Sequence, residues 1–216
     1  RSILDADLVF FNVSEDNIRE SGQGLVLHYV YSPIGKQSAN SFHVGGSLSY
    51  RFNSSESSAQ FRSRPEVATM NDYYVDTGSI ENSDNVARLS LEANRVSGRF
   101  SWQTEFLAAR VQRKDLKTVR FWGAYAFVSW FLTQDSRNYN LGVGEFDRLK
   151  VRSPLFDGGY GAFELAFRAS SIDLTDRDVI GGKEANLSLG LNWYLNDRIR
   201  LMSNLIKVLD VERPGS

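Results

Sequence analysis

Across residues 185–196, ANLSLGLNWYLN, apolar and polar positions alternate without a break. Leu187, Leu189, Leu191, Trp193 and Leu195 fall on one face of a strand, and Asn186, Ser188, Gly190, Asn192 and Tyr194 on the other. Soluble sheets alternate too. What differs is length, because about 9–11 residues of unbroken alternation with an aromatic near the end is what a tilted strand needs to cross a bilayer. Asn196 and Asp197 are turn formers, and residues 198–209 start a second strand at once. A long amphipathic hairpin closed by a minimal turn is the repeating unit of a transmembrane β-barrel.

The same period predicts about nine strands, at 3–11, 22–31, 42–52, 85–96, 99–112, 119–132, 161–172, 185–195 and 198–209. Residues 16–21, 53–84, 113–117 and 173–184 read as polar loops, whereas 97–98 and 196–197 read as tight turns. Outer-membrane barrels keep short turns on the periplasmic side and longer loops outside. Counting back from 196–197 as periplasmic, every second connection falls on one side. Two break the parity: 32–41 reads as a medium turn, and 133–160 is long where a short turn is required.

The faces follow strand by strand. Phe42, Val44, Leu48, Tyr50, Phe52, Trp122, Ala124, Ala126, Val128, Phe163, Leu165 and Phe167 are expected to face lipid. His28, His43, Ser47, Arg51, Arg88, Ser90, Glu92, Asn94, Gln103, Glu105, Glu164, Arg168, Arg200 and Asn204 are expected to face inward. All four tryptophans, Trp102, Trp122, Trp130 and Trp193, fall on the lipid side, as girdle residues do. A β-sandwich would bury an apolar inner face, so a charged inner face opposite a Trp/Leu/Phe face points to a barrel.

Composition limits this picture without redirecting it. A length of 216 residues suits one β domain. A 42% hydrophobic content and mean hydropathy of -0.33 do not exclude a membrane, because a barrel strand spends only alternate residues on lipid. Cysteine is absent, which removes disulfide and thiolate chemistry. Net charge is -1, so no global basic field points to nucleic acid. No secretory leader opens the chain, and Val211-Glu-Arg-Pro-Gly-Ser216 reads as a loop. The chain is therefore expected to be part of a barrel, with strands missing at both ends.

Seven stretches run in order over most of the chain: Phe61-Arg-Ser-Arg-Pro-Glu66, Val75-Asp-Thr-Gly78, Trp130-Phe-Leu-Thr133 with Ser136-Arg137, Gly158-Gly-Tyr-Gly-Ala-Phe-Glu-Leu-Ala166, Asp173-Leu174, Gly181-Gly-Lys-Glu184 and Leu189-Gly-Leu-Asn-Trp-Tyr-Leu-Asn196. Together they resemble the phosphate-selective porin O and P family of Gram-negative outer membranes. The resemblance implies a sixteen-stranded homotrimeric porin, of which residues 1–216 form one partial barrel domain, about strands seven to fifteen. It implies small inorganic anions and outer-membrane lipid as partners, and no cofactor. In such porins an arginine-rich extracellular loop folds into the lumen as an anion ladder, with basic residues continuing toward the periplasm. Arg62 and Arg64 are the positions that carry over.

Two residues apart in an extended segment, Arg62 and Arg64 point the same way at about 6–7 Å separation, suited to passing an anion between guanidiniums. Arg51, Arg88, Arg168 and Arg200 share the inward face and could extend the track. Cross-strand ion pairs with Glu92, Glu105 and Glu164 are the alternative role. His28 and His43 are too few ligands for a metal. Asp173-Leu-Thr-Asp-Arg-Asp178 lacks the glycine and glutamate of a calcium loop, and Gly142-Val-Gly144 lacks the third glycine of a nucleotide fingerprint. No catalytic constellation is legible. Three readings stay open: an anion porin, a general or structural barrel whose lumen charges cancel, and a soluble carbohydrate-binding β-sandwich.

Overall fold

A computed structural model of the chain describes residues 3–13, 22–37, 39–53, 58–66, 71–140 and 145–214. Nine long strands form one antiparallel sheet: β1 (Ile3–Val13), β2 (Gly22–Gln37), β3 (Asn40–Asn53), β6 (Ser83–Ser97), β7 (Phe100–Arg113), β8 (Val119–Phe131), β11 (Ala162–Asp176), β12 (Val179–Tyr194) and β13 (Arg200–Glu212). Two short ribbons accompany it, β4 (Arg62–Ser63) with β5 (Val75–Asp76), and β9 (Asn138–Asn140) with β10 (Glu145–Asp147). All nine expected strands are present. The fold is an all-β antiparallel barrel wall, and among the described residues no second sheet of comparable size faces it, which removes the sandwich alternative.

The register carries one phase around the wall. Trp102 stands opposite Val128, Val128 opposite Phe167, Phe167 opposite Leu189, and Leu189 opposite Leu205. Higher on the wall, Leu27, Leu48, Leu89, Ala108 and Trp122 form a second row in the same way. Directly opposed residues share a face, so these rows define one apolar surface. It is bare: Leu189 is 52% and Leu205 71% exposed. Trp102, Trp130 and Trp193 lie within a few residues of one end of the sheet, and Trp122 near the other.

The strands run further than the pattern indicated. Residues 173–184, expected as a loop, pair as a continuation of β11 and β12 down to a two-residue turn at Arg177-Asp178, with Arg177 left-handed at φ 59°. The medium turn expected at 32–41 is likewise paired up to Gln37 and from Asn40, with irregular register between Tyr31 and Ile34. That restores one of the two parity exceptions. In the opposite direction, the minimal turn at 196–197 is a five-residue connection, 195–199, in which Asn196 Oδ1 accepts the amides of Arg198 and Ile199, each at 2.8 Å. The expected loop 16–21 and the Gly142-Val-Gly144 stretch lie outside the described residues.

Two connections fold onto the inward face and create the packed interior. From the loop end, the segment carrying β4 and β5 buries Ala59, Val75 and Ile80 against Val86, Val111, Val119, Phe121, Leu174 and Val179. Gly181 makes room for it: a Cβ there would stand 3.0 Å from Thr77 Cγ2 and 2.5 Å from the Leu174 carbonyl oxygen. From the turn end, the long segment between β8 and β11 buries Leu149 and Val151 against Phe131 and Ala162. This second segment is the other parity exception. It is long because it turns back into the lumen.

At the loop end a bidentate ion pair clamps neighbouring tips. Arg113 Nη1 and Nη2 reach Asp178 Oδ2 and Oδ1 at 2.7 Å each, and Arg113 also donates to the Lys117 carbonyl. The guanidinium holds the Asp178 carboxyl down at about 2, against its ordinary 3.8. A depressed acid stabilises above its unfolded value and loses that contribution as pH falls, here between 3.8 and about 2. Protection of the tip amides, relative to their intrinsic exchange rate, is expected to fall over that window, and Asp178→Asn to show low protection at every pH. For the apolar face, Leu189→Arg is expected to lower stability in lipid vesicles by about 2–4 kcal/mol in a urea titration. Inward-facing Asn204→Arg should cost under about 0.5 kcal/mol in the same titration.

Candidate functional site

Inward-facing residues of the wall and the two segments packed on them form the site. At the loop end, the backbone of β4 pairs Arg62 with Asp76 and Ser63 with Val75, and Thr77 N donates to the Phe61 carbonyl at 2.9 Å. This ribbon presents Arg62 and Arg64 on one side. Both guanidiniums lie over the Tyr73 ring, at 4.4 and 5.0 Å from its centroid, and Arg64 Nη2 reaches the Tyr73 hydroxyl at 3.2 Å. Phe61 packs at a tilt against Phe121, ring centroids 5.3 Å apart, and fixes the base of the ribbon to β8. Arg88 is exposed and sits over Phe61, 5.4 Å from that ring.

The wall arginines take different positions. Arg51 is buried, at 7% exposure. Arg168 lies 3.8 Å over the Tyr125 ring, and its Nε donates to Glu66 Oε1 at 2.8 Å. Arg200 is exposed at the turn end, over Tyr194 at 5.5 Å and 3.3 Å from its hydroxyl. The structure thus brings Arg62 and Arg64 together and leaves Arg200 at the opposite end of the lumen.

Glu92, Glu105 and Glu164 do meet neighbouring strands, through histidine, serine, asparagine and tyrosine side chains, and Glu164 takes its arginine from the inward segment. The wall arginines Arg168 and Arg200 pair elsewhere. Glu164, fully buried, receives Arg137 of the inward segment at 2.7 Å, together with Asn192 Nδ2 at 2.9 Å and the Tyr194 hydroxyl at 2.8 Å. Glu92 is shared by His43 Nε2 at 3.1 Å and His28 Nε2 at 3.6 Å. Glu105 accepts the Ser90 hydroxyl at 2.9 Å. Neighbouring strands supply His43, Ser90, Asn192 and Tyr194, β2 supplies His28 from two strands away, and the inward segment supplies Arg137.

Tyr139 makes the corresponding contact for the second histidine. Its hydroxyl is hydrogen-bonded to His43 Nδ1, both side chains are buried, and the Tyr139 ring packs edge-on against Phe146 at 5.4 Å. Arg137 is sandwiched near Phe127 and Phe146, at 5.2 and 5.5 Å. Between this segment and the 195–199 turn lies a cavity of about 430 Å³ lined by Arg137, Arg148, Arg198 and Arg200, with Asp147 and Asp197. Sequence reading missed Glu66, Tyr73, Arg137 and Tyr139. Glu66 and Arg137 sit inside motifs it had singled out; Tyr73 and Tyr139 carry no periodic signal.

A single antiparallel wall, apolar outside and packed inside by its own connections, defines a barrel protein with a polar lumen. The description of phosphate-selective porin O and P matches residues 4–212, and the chain belongs to that family. It is 32% identical over 194 residues to an uncharacterized protein of Caulobacter vibrioides, covering 88% of this chain and 38% of that one. It is 27% identical over 224 residues to Porin O of Pseudomonas aeruginosa, covering 90% of this chain and 49% of that protein. The chain spans less than half the length of either relative.

Removing Arg137 strands the buried Glu164 charge. Arg137→Ala is expected to destabilise by about 3 kcal/mol. Arg137→Met with Glu164→Gln should recover most of the loss, read as urea midpoints in vesicles.

Proposed function

We propose that this chain supplies the wall and part of the constriction of an outer-membrane porin that passes small anions by diffusion, phosphate or polyphosphate first. On this reading residues 1–216 contribute about strands seven to fifteen of a sixteen-stranded barrel. That barrel assembles as a homotrimer with the apolar face toward outer-membrane lipid. The observation that carries it is the paired guanidiniums of Arg62 and Arg64, held over one tyrosine ring on a ribbon that turns into the lumen. Two planar donor forks at that spacing can hand an oxyanion from one to the next. An ion must also leave, so a path of weak sites conducts better than one tight site. Arg88 and Arg200 would extend the track toward either end.

A second reading has its own support. The lumen pairs Arg168 with Glu66 and Arg137 with Glu164, and such cancellation is what a general porin with little charge preference would show. Reversal potentials in planar bilayers under a KCl gradient separate the two, with anion preference expected; cation preference would sink the anion reading. Within the anion reading, Arg62→Ala combined with Arg64→Ala is expected to weaken phosphate block of the chloride current by roughly tenfold or more. Unchanged block would remove the two arginines from the path.

A further inference from the structure

Glu66 closes the motif that carries Arg62 and Arg64, and it does something neither arginine does. Its backbone is left-handed at φ 47°, with its amide bonded to the Arg64 carbonyl at 2.8 Å, so the chain turns sharply just past Pro65. That turn aims the carboxylate at β11. Glu66 Oε1 accepts both Arg168 Nε at 2.8 Å and the Ser170 hydroxyl at 2.6 Å, two residues on the same inward face of one strand. The Glu66 side chain is largely covered, at 17% exposure, and Arg168 is about one-third exposed. A half-shielded pair of this kind is held more firmly than a surface one.

We infer that Glu66 is a specificity-determining latch, which docks the arginine-bearing ribbon at mid-wall and at the same time cancels the charge of Arg168. The inference rests on the lumen being an ion path. Two consequences follow from one carboxylate. Mechanically, the contact ties Arg62 and Arg64 to β11, a strand that lies 102 residues further along the chain. Electrostatically, it sets how positive the lumen is: with Glu66 charged, Arg168 contributes no net field to an anion passing nearby, although its guanidinium faces the lumen over the Tyr125 ring. The acid is therefore a brake on anion preference, placed inside the motif that supplies the preference.

The test uses the intact gene product in planar bilayers and in proteoliposomes, as Glu66→Gln, Arg168→Gln and the two combined. Glu66→Gln keeps an acceptor for Ser170 and removes the charge. It is expected to raise the anion-to-cation permeability ratio by roughly twofold or more and to speed trypsin cleavage after Arg62. Arg168→Gln should lower the ratio by a similar factor, and the double variant should return it to the parent value. A merely structural role would alter cleavage and leave the ratio in place, and an unchanged ratio in the single variants overturns the proposal. If Glu66→Gln fails to fold, Arg168→Gln still reads the same contact. If the parent protein prefers cations, the anion reading fails by itself, while the latch is still judged by the direction in which each variant moves the ratio.

Discussion

A backbone amide or carbonyl in hydrocarbon has no water to turn to, so every strand inside a bilayer must find both neighbours in the sheet. That constraint orders the rest of this molecule. It forces antiparallel pairing of the nine wall strands, with a register that is regular through the central band and a single phase there. A one-residue slip of β12 would turn Leu189 inward, and one of β11 would turn Arg168 and Glu164 outward. The wall therefore sorts its own side chains. Polar atoms collect on the face where protein or water can satisfy them, and the other face needs only to be apolar.

Once the wall is set, the interior is a packing question of a different kind. Inward polar groups must find partners, and neighbouring strands and the connections supply them together. Glu164 is met by Arg137, Asn192 and Tyr194, and Glu92 by two histidines. Gly45 shows how tightly the second cluster is built: a Cβ there would fall 2.8 Å from Glu92 Oε1 and 2.9 Å from His43 Nε2. Buried charge of this sort is weak evidence for stability, since a well-packed apolar pair can do as well. Its value lies in fixing where each segment sits.

How much was legible in the sequence follows from the same division. All nine wall strands and the facing of their residues could be read, because lipid on one side and polar surroundings on the other impose a strict period of two. The hairpin tip at 173–184 was not legible as strand. Beyond the apolar band, Asp173, Thr175 and Lys183 replace the greasy half of the alternation while the ladder continues. The inward turn of 133–160 was not legible either, and that of 53–84 came only through the family resemblance. Their residues pack by contact with a wall that is distant in sequence, and β4, β5, β9 and β10 are only two or three residues long. Arg62 and Arg64 were found through a motif. Tyr73, which holds both guanidiniums, could be found only in three dimensions.

The span between Glu66 and Arg168 also bears on how the chain comes together. A contact across 102 residues cannot form before β11 is in register, and β11 reaches its place only after β6, β7 and β8 have paired in turn. Closing so long a loop early would cost conformational entropy with nothing yet to hold it shut. The strands between its two ends must therefore pair before this contact closes. The Glu66–Arg168 contact is thus a late arrival, set against a wall that is already standing.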